Sequence, residues 1–98
     1  MARALRWTEA AVDDLNEAAE FIARDSPFYA RALVREGREA ARSLRRFAER
    51  GRVVPESGDP AIREIFVKHY RLIYQITPDH VVILAFVPGA RDLTKGPC

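Results

Sequence analysis

Ninety-eight residues, 48% hydrophobic and 31% charged, make one domain's worth of globular chain, so a single unit over 1–98 is expected. The lone cysteine, Cys98, excludes an internal disulfide, and no run approaches the roughly eighteen apolar residues of a membrane span. Nor does an apolar run follow Arg3 and Arg6, as a signal peptide would need; the expectation is a cytoplasmic protein without a membrane role. A net charge of +2 is too small to argue for nucleic acid by itself, although all but Lys68 and Lys95 of the sixteen basic residues are arginine.

Residues 3–7 form a short segment ending in Trp7, a candidate first strand. Thr8 is a good helix N-cap, and Glu9 places a negative charge in the first turn, where the helix dipole favours it. Val12, Leu15, Ala19 and Ile22 then recur at helical spacing, with Asp13, Asp14, Glu17 and Glu20 on the other faces. This first helix should end near Asp25 and be acidic outside. Ser26-Pro27 starts a second helix, since serine caps and proline at the first helical position forfeits no bond. Ala30, Leu33, Gly37, Ala40, Leu44 and Phe47 keep its rhythm, and the small residues among them would let the two helices approach closely. Residues 8–50 therefore read as an antiparallel helical hairpin closed by Gly51.

Residues 51–60 are a loop dense in glycine and proline, after which the period changes. Residues 61–67, 69–77 and 80–87 are rich in β-branched and aromatic side chains and separated by turns too short for a parallel crossover. The last is almost continuously apolar, which suits a central strand. The fold class is α+β in the order β-α-α-β-β-β, a helical hairpin packed on a small antiparallel sheet.

Most catalytic signatures are missing. The chain has no glycine-rich phosphate loop, no His-Glu-x-x-His and no Cys-x-x-Cys, and no elbow motif surrounds Ser26, Ser43 or Ser57. His69 and His80 with a terminal cysteine do not make a zinc set, so neither a metal nor a cofactor is expected. Three features remain. Arg31, Arg35, Arg38, Arg42 and Arg45 or Arg46 recur along one face of the second helix, either as a solvated face partly paired with acidic neighbours or as a surface for an acidic partner. In the sheet half lie Arg63, Lys68, His69, Arg71 and Arg91. Alternation puts His69, Arg71, Ile73 and Gln75 on one face, where Arg71 needs Glu56, Glu64 or an external anion as its partner. The third feature is the connector Gly-Arg-Val-Val-Pro-Glu (51–56). Phe28, Tyr29 and Phe66 are candidates either for core or for an exposed partner-binding patch.

Taken in order, Gly-Arg-Val-Val-Pro-Glu (51–56), Ile-Arg-Glu-Ile (62–65), Tyr-Arg-Leu-Ile-Tyr (70–74), Val-Val-Ile-Leu (81–84) and Gly-Ala-Arg-Asp-Leu (89–93) resemble the RelE/ParE superfamily of type II toxins. The first helix, with Ala11, Asp14-Leu15 and Phe21-Ile22, is similar to that family's opening segment. The resemblance implies a toxin neutralised by a cognate antitoxin, typically short, acidic and of ribbon-helix-helix type, in a hetero-oligomer. It implies one of two targets: DNA gyrase, as for ParE-like members, or messenger RNA on the ribosome, cleaved by RelE-like members. By the same resemblance, Arg71 and Arg91 match arginines that contact phosphate in cleaving members, and Lys68 or His69 would have to serve as the base. The tail 94–98 lacks the tyrosine or histidine that often completes a cleaving site, and Pro88 stands where relatives commonly carry histidine. Both departures favour the gyrase poison over the nuclease; a third alternative is an inactive toxin-like protein that only binds an antitoxin.

Overall fold

The structure is a computed structural model that describes residues 2–89. Strand β1 (Ala4–Trp7) leads into helix α1 (Glu9–Ala23) and helix α2 (Pro27–Ser43), followed by a 3₁₀ turn at Ala48–Arg50. Strands β2 (Arg52–Val53), β3 (Ile62–Val67), β4 (Tyr70–Ile76) and β5 (His80–Pro88) complete the chain. The sheet order is β1-β5-β4-β3-β2, with every pair antiparallel except β1 and β5. The expected meander of the C-terminal half is therefore present, and β5 is central as its apolar run required. The N-terminal strand joins it in parallel, which the helical hairpin between them makes possible.

Both helices begin where capping chemistry places them. The Thr8 hydroxyl accepts from the Ala11 amide at 3.0 Å, and the Ser26 hydroxyl accepts from the Tyr29 amide at 3.3 Å. One side of the sheet receives the hairpin: Leu15 and Ala18 of α1 and Leu33 and Ala41 of α2 pack on Leu72, Tyr74, Val81, Ile83 and Phe86. At Gly37 a Cβ would meet Leu15 at 3.5 Å and the Phe86 ring at 3.7 Å, ordinary contact distances, so the layers are closely packed there without requiring glycine. The far side of the sheet carries a second, smaller core of Val54, Ile73 and Val87, covered by the connector from β2 to β3.

Several local expectations need correction. The second helix stops at Ser43 rather than near residue 50. Its last turn is drawn to the sheet edge, where the Arg3 amide donates to the Arg45 carbonyl at 2.9 Å and Arg45 Nε donates back to the Arg3 carbonyl at 3.0 Å. Phe47 consequently leaves the apolar seam and stands exposed, while Ala48 takes the buried position. Val12 is likewise exposed, and Ala11 occupies the core position on α1 instead. Asp14, counted with the outer acidic face, is half-buried, and its carboxylate accepts from the Phe86 amide at 3.0 Å. That contact lies beside a register shift in the β4–β5 pairing, where Ile73 faces Ala85 but Tyr74 faces Ile83 and Leu84 is left over.

Gly51 caps the 3₁₀ turn in an extended conformation rather than ending α2, and it makes a close approach. Its amide donates to the Tyr74 hydroxyl at 3.0 Å, which in turn donates to the Ala48 carbonyl at 2.6 Å. A Cβ at 51 would collide with that hydroxyl and lie 2.6 Å from the Glu64 carbonyl oxygen.

Candidate functional site

The far face of the sheet concentrates the charge that the sequence placed near Arg71. Alternation along β3 and β4 brings Glu64, Phe66, Arg71 and Ile73 to that face, and Arg52 pairs directly opposite Glu64. The side chain of Glu64 is wholly buried and that of Arg71 is 5% exposed. A buried pair survives only when its geometry and remaining hydrogen bonds compensate for lost hydration. Here they do. Arg71 Nε donates to Glu64 Oε1 at 2.6 Å, while Nη1 and Nη2 donate to the two oxygens of Glu56 at 2.9 and 2.8 Å. Arg52 Nε donates to the other Glu64 oxygen at 2.5 Å.

Among the described residues, two guanidinium groups and two carboxylates thus form one chain of contacts. The bidentate Glu56 contact, opposed by burial and helped by Glu64, holds the Arg71 guanidinium above its already high basicity. Both carboxylates considered as partners for Arg71 are used. Glu56 is delivered by a built connector: the amides of Ser57 and Gly58 both donate to the Val54 carbonyl at 3.0 Å, and Gly58 supplies a positive φ of 69°. Asp59 then accepts from the Ala61 amide at 2.9 Å. The Gly-Arg-Val-Val-Pro-Glu segment is therefore the arm that covers Arg71.

The remaining sheet residues do not converge on it. Lys68, at a φ of 55° in the β3–β4 turn, reaches toward the helical layer and pairs with Glu36 of α2 at 3.3 Å. His69 is exposed in the same turn, with its carbonyl accepting from the Gly89 amide at 2.8 Å. Arg63 lies on the helix side, where it donates to the carbonyls of Glu49, Gly51 and Pro60. Arg91 lies outside the described residues. Among the described residues no cluster of histidine, cysteine and carboxylate could hold a metal ion.

A second feature occupies the outer side of the hairpin. Arg31, Arg35, Arg38 and Arg42 rim a groove of about 710 Å³ whose floor is Ala19, Ala23, Ala30 and Val34, with Glu20 and Glu39 also at its margin. The arginine stripe read from spacing is thus one continuous wall beside an apolar trough. Phe28 and Tyr29 stand exposed at the start of α2, with ring centroids 5.5 Å apart and edge to face. Phe66 is exposed on the far face of the sheet, beneath the Arg52 guanidinium at 5.8 Å. The structure joins Phe28 to Tyr29 but gives Phe66 a separate setting. Spacing could reveal the stripe, but not the small-residue floor contributed by α1.

The two-helix layer on a mostly antiparallel five-stranded sheet is the fold that the resemblance to RelE/ParE-type toxins implied. Residues 5–93 match the family described as the ParE toxin of the type II toxin-antitoxin system parDE. The chain belongs to that family, and so to the toxins of type II toxin-antitoxin systems. Among solved structures it is similar to a chain from the chromosomal ParDE toxin-antitoxin system of P. aeruginosa, with 21% identity and a TM-score of 0.72 over 89% of this chain and 96% of that one. It is also similar to a chain of the RelBE2 toxin-antitoxin complex of Mycobacterium tuberculosis, with 24% identity and a TM-score of 0.61 over 90% and 99%. No curated protein sequence matches it significantly. Among the described residues no helix is long and apolar enough to cross a membrane.

Proposed function

We propose that this chain is a cytoplasmic, ParE-like poison of DNA gyrase that acts by occupying a surface rather than by cleaving a bond. The observation that carries this reading is the state of Arg71. An arginine that stabilises a phosphorane must present its donors to the phosphate, whereas the buried guanidinium of Arg71 directs its donors at Glu56 and Glu64. Lys68 lies toward the opposite layer, paired with Glu36, so it supplies no base beside that guanidinium.

The same reading gives the toxin a short acidic antitoxin of ribbon-helix-helix type as its partner. The solved relatives come from ParDE and RelBE2 toxin-antitoxin systems. In this chain the groove with an apolar floor and four arginines on its rim suits an amphipathic helix with acidic flanks. Expression of the chain without its partner is expected to stop growth with double-strand DNA breakage and intact messenger RNA. Primer extension on a translated message that shows discrete stops in the ribosomal A site would overturn this assignment and make the chain a nuclease.

A further inference from the structure

Where α2 ends, the chain turns a corner that collects arginines from three places in the sequence. Arg45, Arg46 and Arg50 follow the helix within one short segment, and Glu49 is the single carboxylate among residues 44–51. The fold brings in two more. Arg3 exchanges backbone hydrogen bonds with Arg45, and its own Nε donates to the Thr77 carbonyl at 2.8 Å. Arg63 arrives from β3, where Nη1 donates to the carbonyls of Gly51 at 3.0 Å and Glu49 at 3.3 Å. Arg50 Nη1 donates to the Ser43 hydroxyl at 2.6 Å.

All of these acceptors are neutral oxygens. Bonds to carbonyls and hydroxyls hold a guanidinium in place without cancelling its charge, so the attraction for an external anion remains. Among the described residues, salt bridges engage Arg52, Lys68 and Arg71 but none of the five arginines at this corner. Their field reaches inward, where Arg63 and Arg50 each favour the phenolate of buried Tyr74. Phe47 stands among them, 63% exposed, between Arg46 and the 3₁₀ turn that carries Arg50. The surface thus differs from the groove on the hairpin, whose apolar part is a floor between helices.

We infer that this corner is a contact surface for duplex DNA, with Arg45, Arg46 and Arg50 on backbone phosphates and the Phe47 ring against a base step. The inference rests on the gyrase reading for its setting, since duplex DNA is what gyrase holds, and there the toxin grips the DNA as well as the enzyme. Chemistry selects the occupant. A duplex carries one negative charge per about 1.7 Å of its axis, so clustered guanidinium groups find phosphates in any register. An exposed apolar ring beside cations suits a wedge at a base step, whereas an acidic peptide would leave that ring without a partner.

The probe is a fluorescein-labelled duplex of about 20 base pairs, titrated with the whole toxin and no gyrase at about 0.15 M salt and followed by anisotropy. Binding is expected with a Kd of about 10⁻⁶ to 10⁻⁴ M, weakening as salt rises. Arg46→Gln with Arg50→Gln should weaken it about tenfold or more and make the logarithmic salt slope shallower by about two, with the melting temperature preserved because both side chains are exposed. Arg24→Gln with Lys68→Gln removes the same charge away from the corner and should change binding less than about twofold. Phe47→Ala should weaken binding about threefold or more at an unchanged slope. Absence of binding, equal losses in the two double variants, or displacement of the duplex by oligoglutamate at matched charge overturns the inference. A toxin that ignores DNA yet still traps cleaved gyrase complexes sinks this surface and leaves the gyrase reading standing. DNA binding at the corner with gyrase unaffected sinks the gyrase reading and leaves the surface.

Discussion

Glu64 has no water to turn to: its side chain is wholly buried, and the two cations that neutralise it come from β2 and β4. The exposed Arg52 contributes little there, because solvent screens its side of the pair. Arg71 is the partner that matters for stability. Arg71→Met leaves two carboxylates facing each other without their common cation and should cost about 3 kcal/mol or more in urea unfolding. Replacing the group together, Arg71→Met with Glu64→Leu and Glu56→Gln, should recover most of that loss, because no charge is then stranded. Growth inhibition returning with stability would mark Arg71 as structural; inhibition still absent in the stable triple variant would mark it as functional.

Tyr74 gives a pH dependence with a definite sign. Burial pushes its phenol above the ordinary value near 10, outweighing the Gly51 amide, which favours the phenolate. Below pH 10 the group is protonated in both folded and unfolded chains, so its contribution is fully present. Above that, the unfolded chain ionises first, and stability falls as pH rises. The urea midpoint of the wild type should therefore drop more steeply than that of Tyr74→Phe above about pH 10. Parallel curves would remove Tyr74 as the cause.

At the scale of elements, α2 does two jobs with two faces. Leu33, Gly37 and Ala41 are buried against the sheet and α1, while Arg31, Arg35, Arg38 and Arg42 rim the outer groove. Arg31→Glu with Arg35→Glu should slow association with an acidic antitoxin about tenfold or more at low salt, and the difference should shrink as salt rises. An on-rate that is unchanged and insensitive to salt would leave the stripe as a solvated face.

Much of this element was legible because helical period, a serine cap and an N1 proline act locally. Its end was not. Ser43 terminates α2 because Arg45 is drawn to the backbone of Arg3, a contact 42 residues distant that no local pattern encodes. The strands were readable from β-branched runs and tight turns, but the parallel docking of β1 depends on where the hairpin delivers it. The site divides along the same line. Glu56 and Glu64 could be named as partners of Arg71 from chemistry alone. That both bind it at once, closing the guanidinium, required the fold of the connector between β2 and β3.

At the scale of the whole molecule, the features separate by face. The hairpin carries the basic groove, and the far side of the sheet carries the ionic network around Arg71. Such an arrangement provides surfaces for macromolecular partners and leaves no assembled acid, base and free arginine at one place among the described residues. On the proposed reading, the RelE/ParE-type fold serves here as a frame for binding DNA gyrase.

Purified gyrase, supercoiled plasmid, ATP and the partner-free chain test that claim most directly, with linear DNA measured after detergent and protease release the trapped enzyme. The expected result is linear plasmid that accumulates with toxin concentration and disappears when the antitoxin is added first. Plasmid that stays supercoiled at every toxin concentration, with gyrase active in the same tubes, would contradict it.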